Sequence, residues 1–319
     1  MRARGVAFQG ALAAAGLAAA FFLWRREPAG TPGEVVVLDA PKQSLERVHY
    51  EDASGSVELY REASEGGALW LRLGTKPPRE LRANETAEQL FTRFAPLRAT
   101  RSLGVLDAET LAEVGLKESP RKLVVTLSSG EHAFTLAASS IGWGNPYLRR
   151  ETDGSVFLLA PSLLPDLENA AFRLVDRTLH VFGPAEYDSL TVTLGSTSRT
   201  FESQARAQRP AELVPRDSPG APDEPARRWH ERVWLLAPAQ ADFLGRGEAP
   251  PGGPPREVLR VEYRRGDTVI GQLTLARGAG GELYARTEHT PGWAKLPPWA
   301  DSIVEEAQKV AVGHWRPEP

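Results

Sequence analysis

The sequence predicts an α+β fold, in which an N-terminal transmembrane helix precedes two related units of mixed or antiparallel β-sheet with short helices on one face. Apolar side chains alternate along residues 69–73, as in a strand with one buried face. Short helical patterns carry terminal signals, such as Asp107 before one helix and Gly115 after it. The hairpin pattern of residues 123–136 recurs at residues 259–275, which indicates a repeated unit.

Composition narrows the classes of function. The chain has 319 residues, of which 41% are hydrophobic and 25% charged, a balance typical of folded proteins. It contains no cysteine, which excludes disulfides, thiolate metal sites, thiol catalysis and a lipidated N-terminal cysteine. The net charge of −3 gives no reason to expect nucleic acid as a partner.

Residues 1–28 are predicted to form a membrane anchor with its flanks. Between residues 6 and 24 every side chain except Gln9 is apolar or glycine. A helix of that length rises about 28 Å, close to the hydrocarbon thickness of a bilayer. Basic residues flank this segment on both sides: Arg2, Arg4, Arg25 and Arg26.

A cleaved signal peptide is the alternative for the same segment, because the alanines at 18–20 offer small residues at a cleavage site. The apolar run continues past them, which favours an uncleaved anchor. The flanking charges are nearly balanced, but the α-amino group and Glu27 favour a cytoplasmic N-terminus. The expected location is therefore the bacterial inner membrane, crossed once, with the body in the periplasm.

The first unit is predicted to span residues 29–186. A helix is expected from Asn84 or Thr86, since Thr86 and Gln89 have the spacing of a capping box, and a second helix is expected to follow Asp107. A third helix is predicted at residues 162–171. Strands are predicted from period-two apolar spacing and turn residues at 35–38, 45–51, 57–61, 68–73, 122–128, 132–137, 147–151 and 156–159.

The second, shorter unit is predicted to span residues 187–319. Proline-rich insertions at 206–227 and 246–255 interrupt it. A strand at 233–236 is expected to carry Trp234 as the strand at 68–73 carries Trp70. Further strands are predicted at 190–194 and 199–202 and in the repeated hairpin, and residues 301–312 fit a terminal helix. Residues 281–288 match residues 144–151, which extends the repeat beyond the hairpin.

Several stretches resemble the family called domain of unknown function 4340. The helix near residues 87–99 is followed by Val-Gly-Leu-Lys-Glu-Ser-Pro at 114–120, with Val114 and Lys117 where that family usually has Tyr and Asp. Residues 147–149 and 174–179 resemble two further stretches of the family. The resemblance implies a membrane-anchored extracytoplasmic protein, often encoded beside gliding-type ABC-transporter components, and it offers no catalytic residues.

No motif in the sequence assigns catalytic, cofactor-binding or metal-binding residues. Ser119 and Lys122 have Ser-x-x-Lys spacing, but Pro120 and a following strand would separate their side chains. The six histidines are scattered without metal-ligand spacing. The acidic pairs at 223–224 and 305–306 fall in a linker and on a helix surface, where carboxylates are solvated.

Three tryptophans are candidate ligand contacts. Trp143, Trp293 and Trp299 lie near loops that follow strands, and prolines surround the last two. A tryptophan in such a loop can stack on a sugar or a peptide, and it can equally plug the end of a sheet.

The sequence therefore predicts a non-enzymatic binding or accessory module that is held to the bilayer and serves an ABC transporter or another envelope protein, without a cofactor. The alternative is an envelope hydrolase or glycan-binding enzyme whose site uses ordinary Asp and Glu residues. A structural spacer without a specific ligand is the third hypothesis.

Overall fold

The computed structural model describes residues 34–62, 67–74, 78–139, 144–160, 163–204, 212–236 and 242–313. The helix predicted at residues 6–24 lies outside these ranges. Within them, no helix is both long enough and apolar enough to cross a membrane.

The first part of the chain forms a nine-stranded antiparallel sheet and a small two-stranded one. Its strands are β1 (Val35–Leu38), β2 (Leu45–Asp52), β3 (Gly55–Arg61), β4 (Leu69–Leu73), β5 (Arg79–Arg82), β6 (Leu97–Ala99), β7 (Arg101–Val105), β8 (Arg121–Leu127), β9 (Gly130–Ala137), β10 (Tyr147–Arg150) and β11 (Ser155–Leu158). The large sheet has the order β5-β4-β3-β2-β8-β9-β10-β11-β7, and β1 pairs with β6.

The second part forms an eight-stranded antiparallel sheet. Its strands are β12 (Ser189–Leu194), β13 (Thr197–Gln204), β14 (Glu212–Pro215), β15 (Asp242–Phe243), β16 (Arg256–Arg265), β17 (Thr268–Arg277), β18 (Leu283–Thr287) and β19 (Ala294–Lys295). They are arranged in the order β14-β13-β12-β16-β17-β18-β19-β15. The predicted α+β class is confirmed, because short helices accompany these antiparallel sheets.

The two large sheets have equivalent strand orders. If β5 is set aside, β4-β3-β2-β8-β9-β10-β11-β7 corresponds position by position to β14-β13-β12-β16-β17-β18-β19-β15. In the first sheet, β7 precedes the hairpin β8-β9 in sequence but pairs with β11 at the sheet edge. In the second sheet, β15 precedes the hairpin β16-β17 and pairs with β19 in the same way. The sequence match between residues 123–136 and 259–275 therefore falls on equivalent hairpins, β8-β9 and β16-β17.

Short helices pack against both sheets, and one of them, Ala108–Glu113, lies with a separate apolar cluster around Leu116, Ala137 and Val156. They are α1 (Glu85–Thr92), α2 (Ala108–Glu113), α3 (Leu163–Glu168), α4 (Ala170–Arg173), α5 (Glu224–Trp234) and α6 (Asp301–Val312). Leu90 and Phe91 of α1 pack in the core of the first sheet, whereas Trp229 of α5 and Ile303 of α6 pack in the core of the second. Both cores bury aliphatic and aromatic side chains, the main source of folding free energy.

The two parts share their cores across their boundary. Phe243 and Ala294 of the second part pack in the first core, while Leu179 and Phe182, which precede β12, pack in the second. The boundary predicted between residues 186 and 187 thus lies in a segment that contributes to both cores.

The sheets meet edge to edge beside β15. The backbone N–H of Arg246 donates to the carbonyl of Glu80 on β5 at 2.9 Å. A Cβ atom on Gly245 would lie 2.9 Å from the Glu80 nitrogen, and one on Gly292 would lie 2.6 Å from the Gly245 oxygen. Only glycine fits at either position, because backbone atoms cannot move aside as a side chain can.

Two local predictions for the second part are corrected. The strand predicted at 233–236 is the end of α5, which Asp223 caps by accepting a hydrogen bond from the Ala226 N–H at 3.0 Å. The insertion predicted at 206–227 contains β14, where Leu213 is buried, and the beginning of α5. Residues 246–255 carry neither helix nor strand, as expected of an insertion.

Candidate ligand-binding site

The outer face of the second sheet carries polar side chains. On β16, Val261 is buried in the core, and the neighbouring Arg260 points to the opposite face. Strand register places Arg260 opposite Thr274 of β17 and Thr274 opposite Arg286 of β18. A row of three polar residues thus crosses three adjacent strands and ends close to Trp293, just before β19.

A concavity of about 450 Å³ lies at this end of the row. The Arg286 guanidinium is 5.9 Å from the centre of the Trp293 ring. The side-chain amide of Gln272 donates to the Thr274 hydroxyl at 2.9 Å, which leaves the Gln272 carbonyl oxygen available as an acceptor. The lining includes Glu257, Gln272, Thr274, Arg286, Glu288 and Trp293. The site combines an aromatic surface, a cation and neutral hydrogen-bonding groups.

Both carboxylates of the concavity already have partners. Glu257 accepts from Arg260 at 2.6 Å. Glu288 contacts the His180 ring at 2.8 Å and accepts from the backbone N–H of Gln272 at 2.9 Å. Burial favours a higher pKa for Glu288, but these hydrogen bonds outweigh it and hold that pKa below its ordinary value. Glu288 is therefore an ionised acceptor at neutral pH and not a proton donor.

Arg286 has no acidic partner in the described part of the chain. Its guanidinium lies over the Trp293 ring. Other arginines on the same face are paired, Arg260 with Glu257 and Arg264 with Glu262 at 2.7 Å. The guanidinium therefore faces the concavity with its charge uncompensated by a carboxylate.

Two histidine–carboxylate pairs join the segment before β12 to the end of β18. His180 pairs with Glu288, and the His289 ring contacts Asp176 at 2.8 Å. Burial favours a raised pKa for Asp176, yet the hydrogen bond with His289 and those from Thr178 keep it below its ordinary value. The pair with His180 fixes the position of Glu288 in the lining of the concavity.

His180 also belongs to a buried aromatic cluster that contains Phe182, Tyr187, His230, Trp234 and Tyr263. Its ring stacks on Trp234 with centroids 5.3 Å apart. His230 lies 3.2 Å from the Tyr263 hydroxyl. Burial, together with the neighbouring His180, lowers the pKa of His230 to about 3, so its imidazole is neutral at physiological pH. Phe182, Tyr187, His230 and Tyr263 of this cluster are buried, whereas His180 and Trp234 are partly buried.

The structure separates the three predicted tryptophans. Trp293 lines the concavity, whereas Trp299 lies in the 3₁₀ turn Pro298–Ala300, 44% exposed, and is not part of that lining. Trp143 lies outside the described residues. A ligand contact by any of the three stays a prediction.

The other motifs considered in the sequence, Ser119 with Lys122 and the acidic pair at 305–306, make structural contacts. The Ser119 hydroxyl donates to the Leu136 carbonyl, and the Lys122 ammonium donates to Thr135 at 2.9 Å. Glu306 is bonded to Arg232 of α5. Across the described ranges, no group of three potential metal-binding side chains lies close together.

Sequence reasoning missed Arg286, Gln272 and Thr274. For Arg286 the signal was the match of residues 144–151 with 281–288, which pairs Arg149 with Arg286 and Glu151 with Glu288. Gln272 and Thr274 lie in the other match, between residues 123–136 and 259–275. The sequence match does not show that Arg149 is bonded to Glu151 whereas Glu288 is bonded to His180.

No family model matches the chain, and no curated protein and no solved structure is significantly similar to it. The resemblance to the domain of unknown function 4340 family therefore stays a prediction that rests on short stretches such as residues 114–120.

Proposed function

We propose that this protein is a membrane-tethered, extracytoplasmic binding module, without catalytic activity, that serves an ABC transporter or another envelope complex. The observation that carries the proposal is the open concavity around Arg286 and Trp293. It offers recognition groups, and its two carboxylates are already bonded within the protein.

The anchor and the architecture support the same proposal. The apolar segment at residues 6–24, flanked by arginines, has the length of a single membrane crossing. The equivalent strand orders of the two sheets are what a duplicated α+β unit would produce. We infer that such a duplication made the body, and that one copy then acquired the recognition groups.

The hydrolase alternative needs a carboxyl group that stays protonated near neutral pH to act as a general acid. Burial alone would raise the pKa of a carboxyl group and so keep it protonated. At Glu288 and Asp176, hydrogen bonds outweigh the effect of burial and hold the pKa of each carboxyl group below its ordinary value. The concavity therefore favours binding over acid-catalysed hydrolysis.

Affinity purification of the full-length protein from its own membrane in mild detergent, with mass spectrometry of the co-purifying proteins, tests the proposal. We expect an envelope partner, such as a transporter subunit, at near-stoichiometric amounts. A chain without residues 1–26 should lose that partner, because tethering raises the local concentration of the body at the membrane. Recovery of the full-length protein alone would contradict the proposal.

A further inference from the structure

The polar row beside the concavity has an equivalent in the first sheet, and the arginines of the two rows are bonded differently. Strand register there places Lys122 opposite Thr135 and Thr135 opposite Arg149. This row of cation, threonine and arginine corresponds to Arg260, Thr274 and Arg286 in the second sheet. The two sheets thus carry the same polar row on equivalent strands.

In the first sheet the arginine of this row is neutralised. Glu151, two residues after Arg149, accepts from its guanidinium at 3.0 Å and also from the Thr135 hydroxyl at 2.6 Å. The Lys122 ammonium donates to the same threonine. The row is a closed network in which each polar group has a partner.

In the second sheet the equivalent carboxylate is turned away. Glu288 stands two residues after Arg286, as Glu151 stands after Arg149, but it contacts His180 and the Gln272 N–H. His180 is held in turn by stacking on Trp234. The Arg286 guanidinium is left facing Trp293 and the concavity.

From this difference we infer that the concavity binds a sugar ring that carries a carboxylate. The inference rests on the proposed binding function and names its ligand. A guanidinium without an acidic partner binds a carboxylate through paired N–H donors. The Trp293 ring offers a flat surface for the C–H face of a pyranose, and Gln272 and Thr274 offer an amide and a hydroxyl for its hydroxyl groups.

The two carboxylates that line the concavity define the ligand further. Glu257 and Glu288 are satisfied but still negative, so they accept hydrogen bonds from sugar hydroxyls and repel additional anionic groups. The site therefore favours one carboxylate on an otherwise neutral ring over a sulfated or phosphorylated sugar.

Isothermal titration calorimetry on the full-length protein in detergent tests the inference with two probes, a glucose tetrasaccharide in which one terminal ring is glucuronic acid and the neutral glucose tetrasaccharide of the same linkage. We expect the acidic probe to bind at least about tenfold more tightly, the scale of a charge-assisted hydrogen-bonded pair. Arg286→Gln should remove this preference, so that the two probes bind with similar affinity. Trp293→Ala should weaken binding of both probes.

Arg149→Gln is the matched control, because Arg149 occupies the equivalent place and is already neutralised by Glu151. It should leave both affinities unchanged, and unfolding curves should show that each variant is folded. Equal binding of the two probes, or no binding of the acidic one, would overturn the inference. So would Arg286-dependent binding of a peptide through its C-terminal carboxylate without binding of the acidic sugar. The proposed function would survive any of these results if the envelope partner still co-purified.

Discussion

At the scale of single residues, His230 shows how burial turns a titratable group into a source of pH dependence. Its ring is enclosed by Tyr187, Trp234 and Tyr263, and His180 is the nearest other titratable imidazole. In the unfolded chain its pKa returns to about 6.5, whereas in the folded protein it is about 3. Between these values the unfolded state binds more protons, so the free energy of unfolding falls as the pH drops through this range.

The first prediction follows from that difference. Between pH 7 and pH 4.5, His230 should remove about 2 kcal/mol from the free energy of unfolding. His230→Phe keeps an aromatic ring in the cluster and cannot titrate, so this variant should lose about 2 kcal/mol less than the natural protein over the same interval. Urea unfolding at the two pH values measures both changes.

His132→Phe is the control for this experiment, since His132 lies on β9, partly exposed and outside the aromatic cluster. It should retain the acid sensitivity of the natural protein. The account of His230 would be wrong if His230→Phe and the natural protein lost the same stability on acidification.

At the scale of elements, the caps of short helices show what local sequence determines. Asn84 precedes α1 and accepts from the Ala87 N–H at 3.0 Å, while its amide donates to the carbonyls of Arg173 and Val175. Asp107 precedes α2 and accepts from the Thr110 N–H at 2.8 Å, and its other hydrogen bonds come from residues 109 and 110 of the same helix. The Asn84 cap is therefore also a tertiary contact, whereas the Asp107 cap is local to its own helix.

Asn84→Ala should accordingly lower the free energy of unfolding by about 2–3 kcal/mol, since it removes a cap and leaves two carbonyl groups without their donor. Asp107→Ala removes a cap alone and should cost less. Denaturant unfolding of both variants measures the difference. An equal loss in the two variants would show that the contacts of Asn84 with residues 173 and 175 contribute nothing to stability.

The same elements show where sequence reasoning reached its limit. The cap at Asp107 and the helix Asp301–Val312 were predictable, because each depends on residues within a few positions. Of the two starts predicted for α1, Asn84 is the observed cap. The capping box predicted for Thr86 and Gln89 is wrong, because both residues lie inside the helix. The strand expected around Trp234 was wrong, because an apolar run of four residues fits a strand as well as the end of a helix. The cap at Asp223 and the proline that follows it were the signals that distinguish the two.

The candidate site was less predictable than the helices. Trp293 could be selected from its loop, but His180 and Glu288 are 108 residues apart and Asp176 and His289 are 113 apart. Only the folded chain brings these pairs together. Arg286 lacks a carboxylate partner because Glu288 is bonded to His180. Since His180 is distant in sequence, this feature of Arg286 could not be predicted from the neighbouring residues.

At the scale of the whole molecule, the two sheets are physically continuous. Phe243 and Ala294 are buried in the first core, and the Arg246 N–H bonds to β5. Ion pairs cross the same boundary, including Arg79 with Glu248 at 3.1 Å and Arg246 with Glu62 at 2.9 Å. Both ion pairs are partly exposed and contribute little to the free energy of unfolding. The shared cores are therefore the main coupling between the two sheets.

This coupling predicts that both sheets unfold in one transition. Hydrogen exchange with mass spectrometry, along a urea series, can follow the amides of β8 in the first sheet and β16 in the second. We expect the two sets to lose protection at the same urea concentration, because loss of either core exposes apolar side chains of the other. Gly292→Ala should shift both sets together to lower urea concentration and lower the free energy of unfolding by about 1–3 kcal/mol, since its Cβ would collide with backbone at the junction.

Gly183→Ala is the control, because the nearest atom to its Cβ is a side-chain oxygen 3.6 Å away, an ordinary contact. If Gly292→Ala moved the exchange of one sheet and left the other unchanged, the sheets would be independent units, and a ligand bound beside Arg286 could not stabilise the first sheet.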